Sequence, residues 1–147
     1  MLEWADPIFA MGDWGRELVE IANGDLRLGS PGQHPRAIPG EPVREADPEY
    51  LIVAPCGFNL DRALEERPVL EAYPWWNSLR AVRAGKVAFA DGNLFFNRSG
   101  MTISQTAEIL AEMLHGVTSG APTEGVHWFW IDQIGGYYPA TGAGRAL

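Results

Sequence analysis

The chain has a single cysteine in 147 residues, Cys56, which excludes an internal disulfide and a cysteine-rich metal site. No apolar run approaches the roughly 20 residues that span a bilayer, and the start MLEWADP lacks the basic-then-apolar layout of a secretion signal. The expectation is either a cytoplasmic protein or a mature domain cut from something longer. Positive charge is scarce as well. Eleven Lys and Arg against 19 Asp and Glu leave a net charge of −8 with no basic cluster, so phosphates would be repelled and a DNA or RNA partner is excluded. Also missing are a nucleophile elbow, a phosphate-cradling Gly-rich loop with Lys, and paired His at helical spacing. Cys56 has no cationic or His neighbour in sequence and reads as a structural thiol ahead of a nucleophile. A non-enzymatic role is therefore expected.

What is present is ordinary globular composition, 46% hydrophobic and 20% charged, in a length that suits one domain. Such a chain buries roughly 70% of the surface its unfolded form exposes. Six Trp, 17 Gly and 11 Pro mark many punctuated loops that carry large flat side chains, a composition suited to gripping a ligand.

Residues 2–5, LEWA, predict a short strand running into a turn at Asp6-Pro7. A helix follows, with Asp13 as its cap, Leu18, Ile21 and Ala22 at helical spacing and Gly24 as its left-handed stop. A brief strand is expected at Leu26 to Leu28, and then a Gly- and Pro-rich loop, GSPGQHPRAIPGEP. A short polar helix before Pro48 precedes the continuous apolar run Tyr50 to Ala54, which suits a strand covered on both faces. Asp61 offers a cap for a helix through Glu66, broken by Pro68, and Pro74 opens a short helix with Trp76, Leu79 and Val82 that stops at Gly85. Lys86 to Ala90 predicts another strand. Thr102 and Gln105 form a capping box for the longest helix, whose stripe is Ile103, Ala107, Leu110 and Leu114 and whose end is Gly116.

Strands alternating with helices predict an α/β fold, a three-layer sandwich with a mostly parallel open sheet flanked by helices. Residues 1–116 make this lobe, and residues 117–147 an aromatic, Gly-rich C-terminal extension with neither period for long. The extension reads either as an arm packing on its own lobe or as a tail that covers a ligand or binds a partner.

In such sheets ligands lie beyond the carboxyl ends of the strands. Three segments qualify, Asp6 to Trp14, Pro55 to Asn59, and Asp91 to Gly100, and each combines Gly with an aromatic. Glycine lets backbone approach a ligand, aromatics offer flat faces, and Asn97 or Arg98 binds amides and carbonyls. His115 reads as a helix C-terminal residue favoured by the dipole. Imidazole suits cobalt, but His34 and His127 read more simply as surface histidines.

The order LEWADPIFAMGDWGRELVEIANG, SPGQHPRAIPGEPVREADPEYLIVAPCGF, WWNSLRAVRAGKVAFADGNLFFNRSG and AEILAEMLHG resembles the C-terminal lobe of cobalamin-binding proteins that serve ABC importers. The resemblance covers about the first 116 residues and implies one lobe of a class III periplasmic-binding-protein-like fold. In that family two α/β lobes joined by a rigid helix hold cobalamin between facing loops, and the protein then docks on a membrane permease. Carried over by motif, Phe9 of DPIF and Phe96, Asn97 and Arg98 of FFNR meet the corrin or its amides, and Cys56, Gly57 and Phe58 form the neighbouring wall. Glu41 matches the acidic position that pairs with permease arginines; as a residue it is equally a first-turn carboxylate favoured by the helix dipole. The chain departs from the family's Arg-Pro-Gly-Pro-Arg at Arg98-Ser99-Gly100-Met101-Thr102, and the amino-terminal lobe, linking helix and secretion signal are not in the sequence.

The resemblance thus implies a corrinoid as ligand, no catalytic cofactor, an extracytoplasmic location, and a permease or second lobe as partner. The competing reading is an assembly module that homodimerises or pairs with a separate lobe, for a corrinoid or another metal chelate such as haem or a siderophore. Enzymatic use of Cys56 ranks last.

Overall fold

A hairpin opens the chain. In the computed structural model, which describes residues 1–98 and 100–132, β1 (Leu2–Ala5) turns at Asp6 and cis-Pro7 into β2 (Ile8–Ala10). Pairing runs Leu2 with Ala10, Trp4 with Phe9 and Ala5 with Ile8, so Glu3 is the extra residue of a β-bulge. The helix α1 (Gly15–Ile21), β3 (Ala37–Ile38), α2 (Glu41–Ala46) and β4 (Leu51–Val53) follow. Next come α3 (Leu60–Leu64), α4 (Arg67–Glu71), a 3-10 turn at Trp76–Ser78, α5 (Arg80–Arg83) and β5 (Val87–Ala90). A π-helical turn at Gly92–Phe96, α6 (Ile103–His115) and β6 (Trp128–Trp130) complete the described chain.

The six strands form one sheet in the order β3-β2-β1-β4-β5-β6. Only the β1–β4 and β4–β5 ladders are parallel; β1–β2, β2–β3 and β5–β6 are antiparallel. The class is α/β as expected, but the sheet is mixed and not mostly parallel. The central strands are buried on both faces because successive side chains alternate. Leu51, Val53, Val87 and Phe89 face a core closed by Val43, Leu60, Leu64, Leu70, Trp76, Leu79 and Ala81. Ile52, Ala54, Ala88 and Ala90 face the opposite core with Leu18, Val19, Phe96, Ile109, Leu110 and Met113. Helical elements thus cover both faces, α2 to α5 on one and α1 with α6 on the other.

Several local expectations change for physical reasons. Asp13 does not cap α1; it sits at φ 46°, and the N-cap is Trp14 with no side-chain hydrogen bond. The left-handed residue ending α1 is Asn23 (φ 55°), one before Gly24. Leu26 to Leu28 form no strand, since no neighbouring strand is there to pair with, and Leu26 is instead a buried loop residue under α1. The α3 cap is Asn59, whose Oδ1 accepts from Arg62 N–H at 3.0 Å, and Asp61 lies inside the first turn. Pro68 opens α4, where its missing N–H costs nothing. Thr102 donates its hydroxyl to the Leu94 carbonyl at 2.9 Å, which leaves no capping box. Gly116, at φ 67°, ends α6 as expected.

Candidate ligand-binding platform

Strands β1, β4 and β5 run in one direction, and so does β3, because it is antiparallel to β2, which is antiparallel to β1. Their carboxyl ends therefore share one edge of the sheet, and the loops that follow them meet there. Trp4 and Phe9 are cross-strand partners near that edge and leave the sheet on the same side. Ile8 enters the core under α2 to α5, so Phe9, one residue on, points to the α1 and α6 side. Phe58, in the loop after β4, sets its ring 4.9 Å from Trp4 at a tilt of 52°. All three aromatics are half-buried, and none belongs to either core. Trp4 and Phe58 are in ring contact, and Phe9 lies beside Trp4 across the hairpin, with exposed Ala37 opposite Phe9 on β3.

Local chemistry fixes the Trp4 and Phe58 rings. Trp4 Nε1 donates to the Asp6 carbonyl at 3.2 Å, which leaves its flat faces for other contacts. The Arg62 guanidinium lies 4.1 Å above the Phe58 ring and pairs with Glu66 at 2.6 Å and Glu65 at 3.5 Å. A cation over an aromatic face contributes about 0.5–1 kcal/mol at such exposed sites. Gly57 holds φ 76°, a value glycine adopts without cost, and Cys56 beside it is exposed. The Cys56 N–H donates to the Glu3 carbonyl at 3.0 Å, which ties this loop to β1.

The loop after β5 braces the wall from behind. Buried Asp91 caps the π-helical turn by accepting from the N–H groups of Asn93 and Leu94 at 2.9 and 2.7 Å. Asn93 N–H also donates to the Phe58 carbonyl at 2.9 Å. Asn97 Nδ2 donates to the Ala54 carbonyl at 2.8 Å and the Gly92 carbonyl at 3.3 Å. Arg98 folds back on Asn93, donating to its carbonyl through Nε and to its Oδ1 at 2.7 Å. Phe96 is only 1% exposed and packs in the core with α6.

Of the residues singled out from sequence, the structure thus brings Phe9, Cys56, Gly57 and Phe58 to one rim. Asn97 and Arg98 act as bracing side chains behind that rim. Phe96 does not reach it: an aromatic at that point of the π-helical turn is drawn under α6 by the apolar faces of Ala88 and Ala90. Sequence reasoning missed Trp4, Arg62 and Asn93. The available signal for Trp4 was an aromatic near the carboxyl end of the first strand, the same rule that flagged the loops.

Glu3, in the bulge next to Trp4, is the electrostatic oddity of the region. Burial pushes its carboxyl up to about 7, with a further push from the Asp13 carboxylate; His34 and the Gly12 N–H pull the other way. Its Oε1 and the Oδ1 of Asn97 are buried without a hydrogen-bond partner. His34 lies 3.6 Å from Asp13, and His127 stacks edge-on against Phe95 at 4.7 Å. His115 does more than meet a helix dipole: its Nε2 lies 2.8 Å from the Ala22 carbonyl and joins α6 to the end of α1. Among the described residues no group of three or more His, Cys, Asp or Glu is placed to hold a metal ion, and no helix is long and apolar enough to cross a membrane.

Comparison with protein-family models, curated proteins and solved structures gives no match. Glu41 opens α2 three residues after β3 ends, so it stands at the same sheet edge as the aromatic surface, exposed to solvent. Gly40, its predecessor, is pressed against the Trp75 indole, where a Cβ would fall 2.7 Å from Cε2, so the position of this helix start is fixed.

Proposed function

We propose that this chain is a non-enzymatic ligand-binding lobe that takes cobalamin or a related corrinoid against the Trp4, Phe9 and Phe58 surface. The observation carrying the reading is that surface: three touching or adjacent aromatics, outside both cores, at the edge where α/β sheets bind ligands. A corrin is a broad, partly flat ring bordered by amides. Aromatic faces stack on its plane, and the exposed Arg62 guanidinium over the Phe58 ring supplies a donor for amide carbonyls. The sequence resemblance to the C-terminal lobe of cobalamin-binding proteins of ABC importers supports the same ligand, a periplasmic-binding-protein-type lobe, an extracytoplasmic setting and a permease-facing role for Glu41.

The surface is one wall. Cleft binders bury 70 to 90% of a ligand between walls. The family resemblance implies completion of the cleft by a second lobe, either a separate chain or a second copy. The test is titration of the purified chain with cyanocobalamin, following corrin absorbance and tryptophan fluorescence. Saturable quenching is expected, weakened at least about tenfold (~1.4 kcal/mol) in Trp4→Ala and Phe9→Ala, each with an unchanged circular dichroism spectrum. Absence of any saturable signal at about 500 μM ligand, a free energy weaker than roughly 5 kcal/mol, overturns the reading for the lone lobe.

A further inference from the structure

Away from the platform, the outer layer formed by α1 and α6 carries a surface that no other described residue covers. A groove of about 570 Å³ runs between the two helices. Its apolar lining is Trp14, Leu18 and Ile21 on one side and Ile103, Ala107 and Ala111 on the other. Leu18 to Ile21 and Ile103 to Ala107 to Ala111 follow helical spacing, so each helix presents a continuous stripe. On α6 these three residues are half-buried and pack at the margin of the core that Ile109, Leu110 and Met113 fill, so the groove is the outer side of the α1–α6 seam. Ile21 is 71% exposed, and the half-buried Ala107 and Ala111 line the α6 side with small side chains. The helix α6 already has the sheet and α1 as neighbours, and the groove is the apolar surface that this seam leaves open on its outer side.

Charge decides which occupant the groove fits. Glu17 stands on the α1 lip and Glu108 on the α6 lip, and neither has an ion-pair partner among the described residues, whereas Arg16 is committed to Glu20 at 3.7 Å. A second copy would bring its own Glu17 and Glu108 to the same lips in a chain of net charge −8, and like charges juxtaposed at an interface disfavour that pairing. A strip of apolar residues between two helices, edged by carboxylates, matches one amphipathic helix whose apolar face is bordered by cations.

We propose that the α1–α6 groove docks a single amphipathic helix of a protein partner, with Lys or Arg flanking its apolar face. The site is independent of the ligand at the platform. Its probe is a synthetic Leu/Lys amphipathic peptide of about 18 residues, dye-labelled and titrated by fluorescence anisotropy, beside a Leu/Glu peptide with the same apolar face. The Leu/Lys peptide is expected to bind saturably and less tightly as salt rises, with at least about tenfold preference over Leu/Glu. Ile21→Glu leaves both cores intact because the side chain is solvent-facing; it should remove binding even though it adds negative charge. The pair Glu17→Lys and Glu108→Lys should transfer the preference to the Leu/Glu peptide. Equal binding of the two peptides, full binding by Ile21→Glu, or no binding to the wild type overturns the proposal. So does a wild-type dimer in sedimentation that Ile21→Glu returns to monomer, because the occupant would then be a second copy.

Discussion

Gly92 shows how little space separates the loops around the platform. A Cβ built on it meets the Ala54 carbonyl oxygen at 2.8 Å and the Pro55 carbonyl oxygen closer still, and both belong to backbone that cannot step aside. Gly92→Ala is expected to cost about 2 kcal/mol or more, read as a lower urea midpoint at unchanged slope. Glu3 makes the opposite prediction at the same scale. A carboxyl whose folded value is raised to about 7 favours the folded state while protonated, and that contribution fades as pH rises from the ordinary glutamate range through 7. Glu3→Gln keeps the shape without the charge. It should match wild type near pH 4 and exceed it at pH 8, by roughly 1 kcal/mol once partial exposure is discounted. Urea unfolding at the two pH values checks the sign, and a variant less stable than wild type at pH 8 refutes the assignment.

At the scale of elements, β6 is the part of the fold least visible in the sequence. Trp128 and Trp130 pack toward the α1 and α6 side, while Phe129 and Ile131 pack toward the other core. Both faces being apolar, no alternation of polar and apolar residues marks the strand, and the segment reads as an aromatic tail. The strand β2 escapes for another reason: three residues after a proline turn are too few to show a period. Parallel strands β4 and β5, by contrast, were legible as uninterrupted apolar runs, and α6 from its stripe and its terminal glycine. The bulge and the Trp4–Phe58 contact depend on register and on a loop fold, which no local spacing encodes; the expected loop Asp6 to Trp14 in fact holds strand β2, so Phe9 lies in the sheet, while Phe58 lies in a loop after β4 as expected. What secures β6 is Glu112, 9% exposed on α6. Burial alone would push its carboxyl up, but the Thr123 hydroxyl and N–H, the latter at 3.0 Å, and the Glu124 N–H at 3.3 Å hold it below its ordinary value. Trp128 Nε1 then donates to the Thr123 hydroxyl oxygen at 3.1 Å. Glu112→Ala should cost about 2–3 kcal/mol at pH 7. A lowered carboxyl contributes above the ordinary glutamate value and loses that contribution on acidification, so the deficit should narrow below about pH 4 in thermal melts.

For the molecule as a whole, the sheet is shut at one margin by β6, and the lobe bounded at Gly116 would lack that strand. Residues 123–131 bury Trp128 to 1% and Ile131 to 5% and turn β5 from an edge strand into an interior one. A chain ended after Gly116 is expected to expose the β5 edge and aggregate, with near-ultraviolet circular dichroism lost and early elution in gel filtration. A sharp monomer peak with native dichroism would show instead that the first 116 residues fold alone. The exposed thiol beside the aromatic wall has a practical consequence. Because Cys56 is the sole cysteine of the sequence, one maleimide fluorophore attaches at one known position, a residue away from Gly57 and two from Phe58, without engineering. The unaltered polypeptide is in that respect a ready-made optical sensor, whose emission colour would report whatever settles on the neighbouring rings.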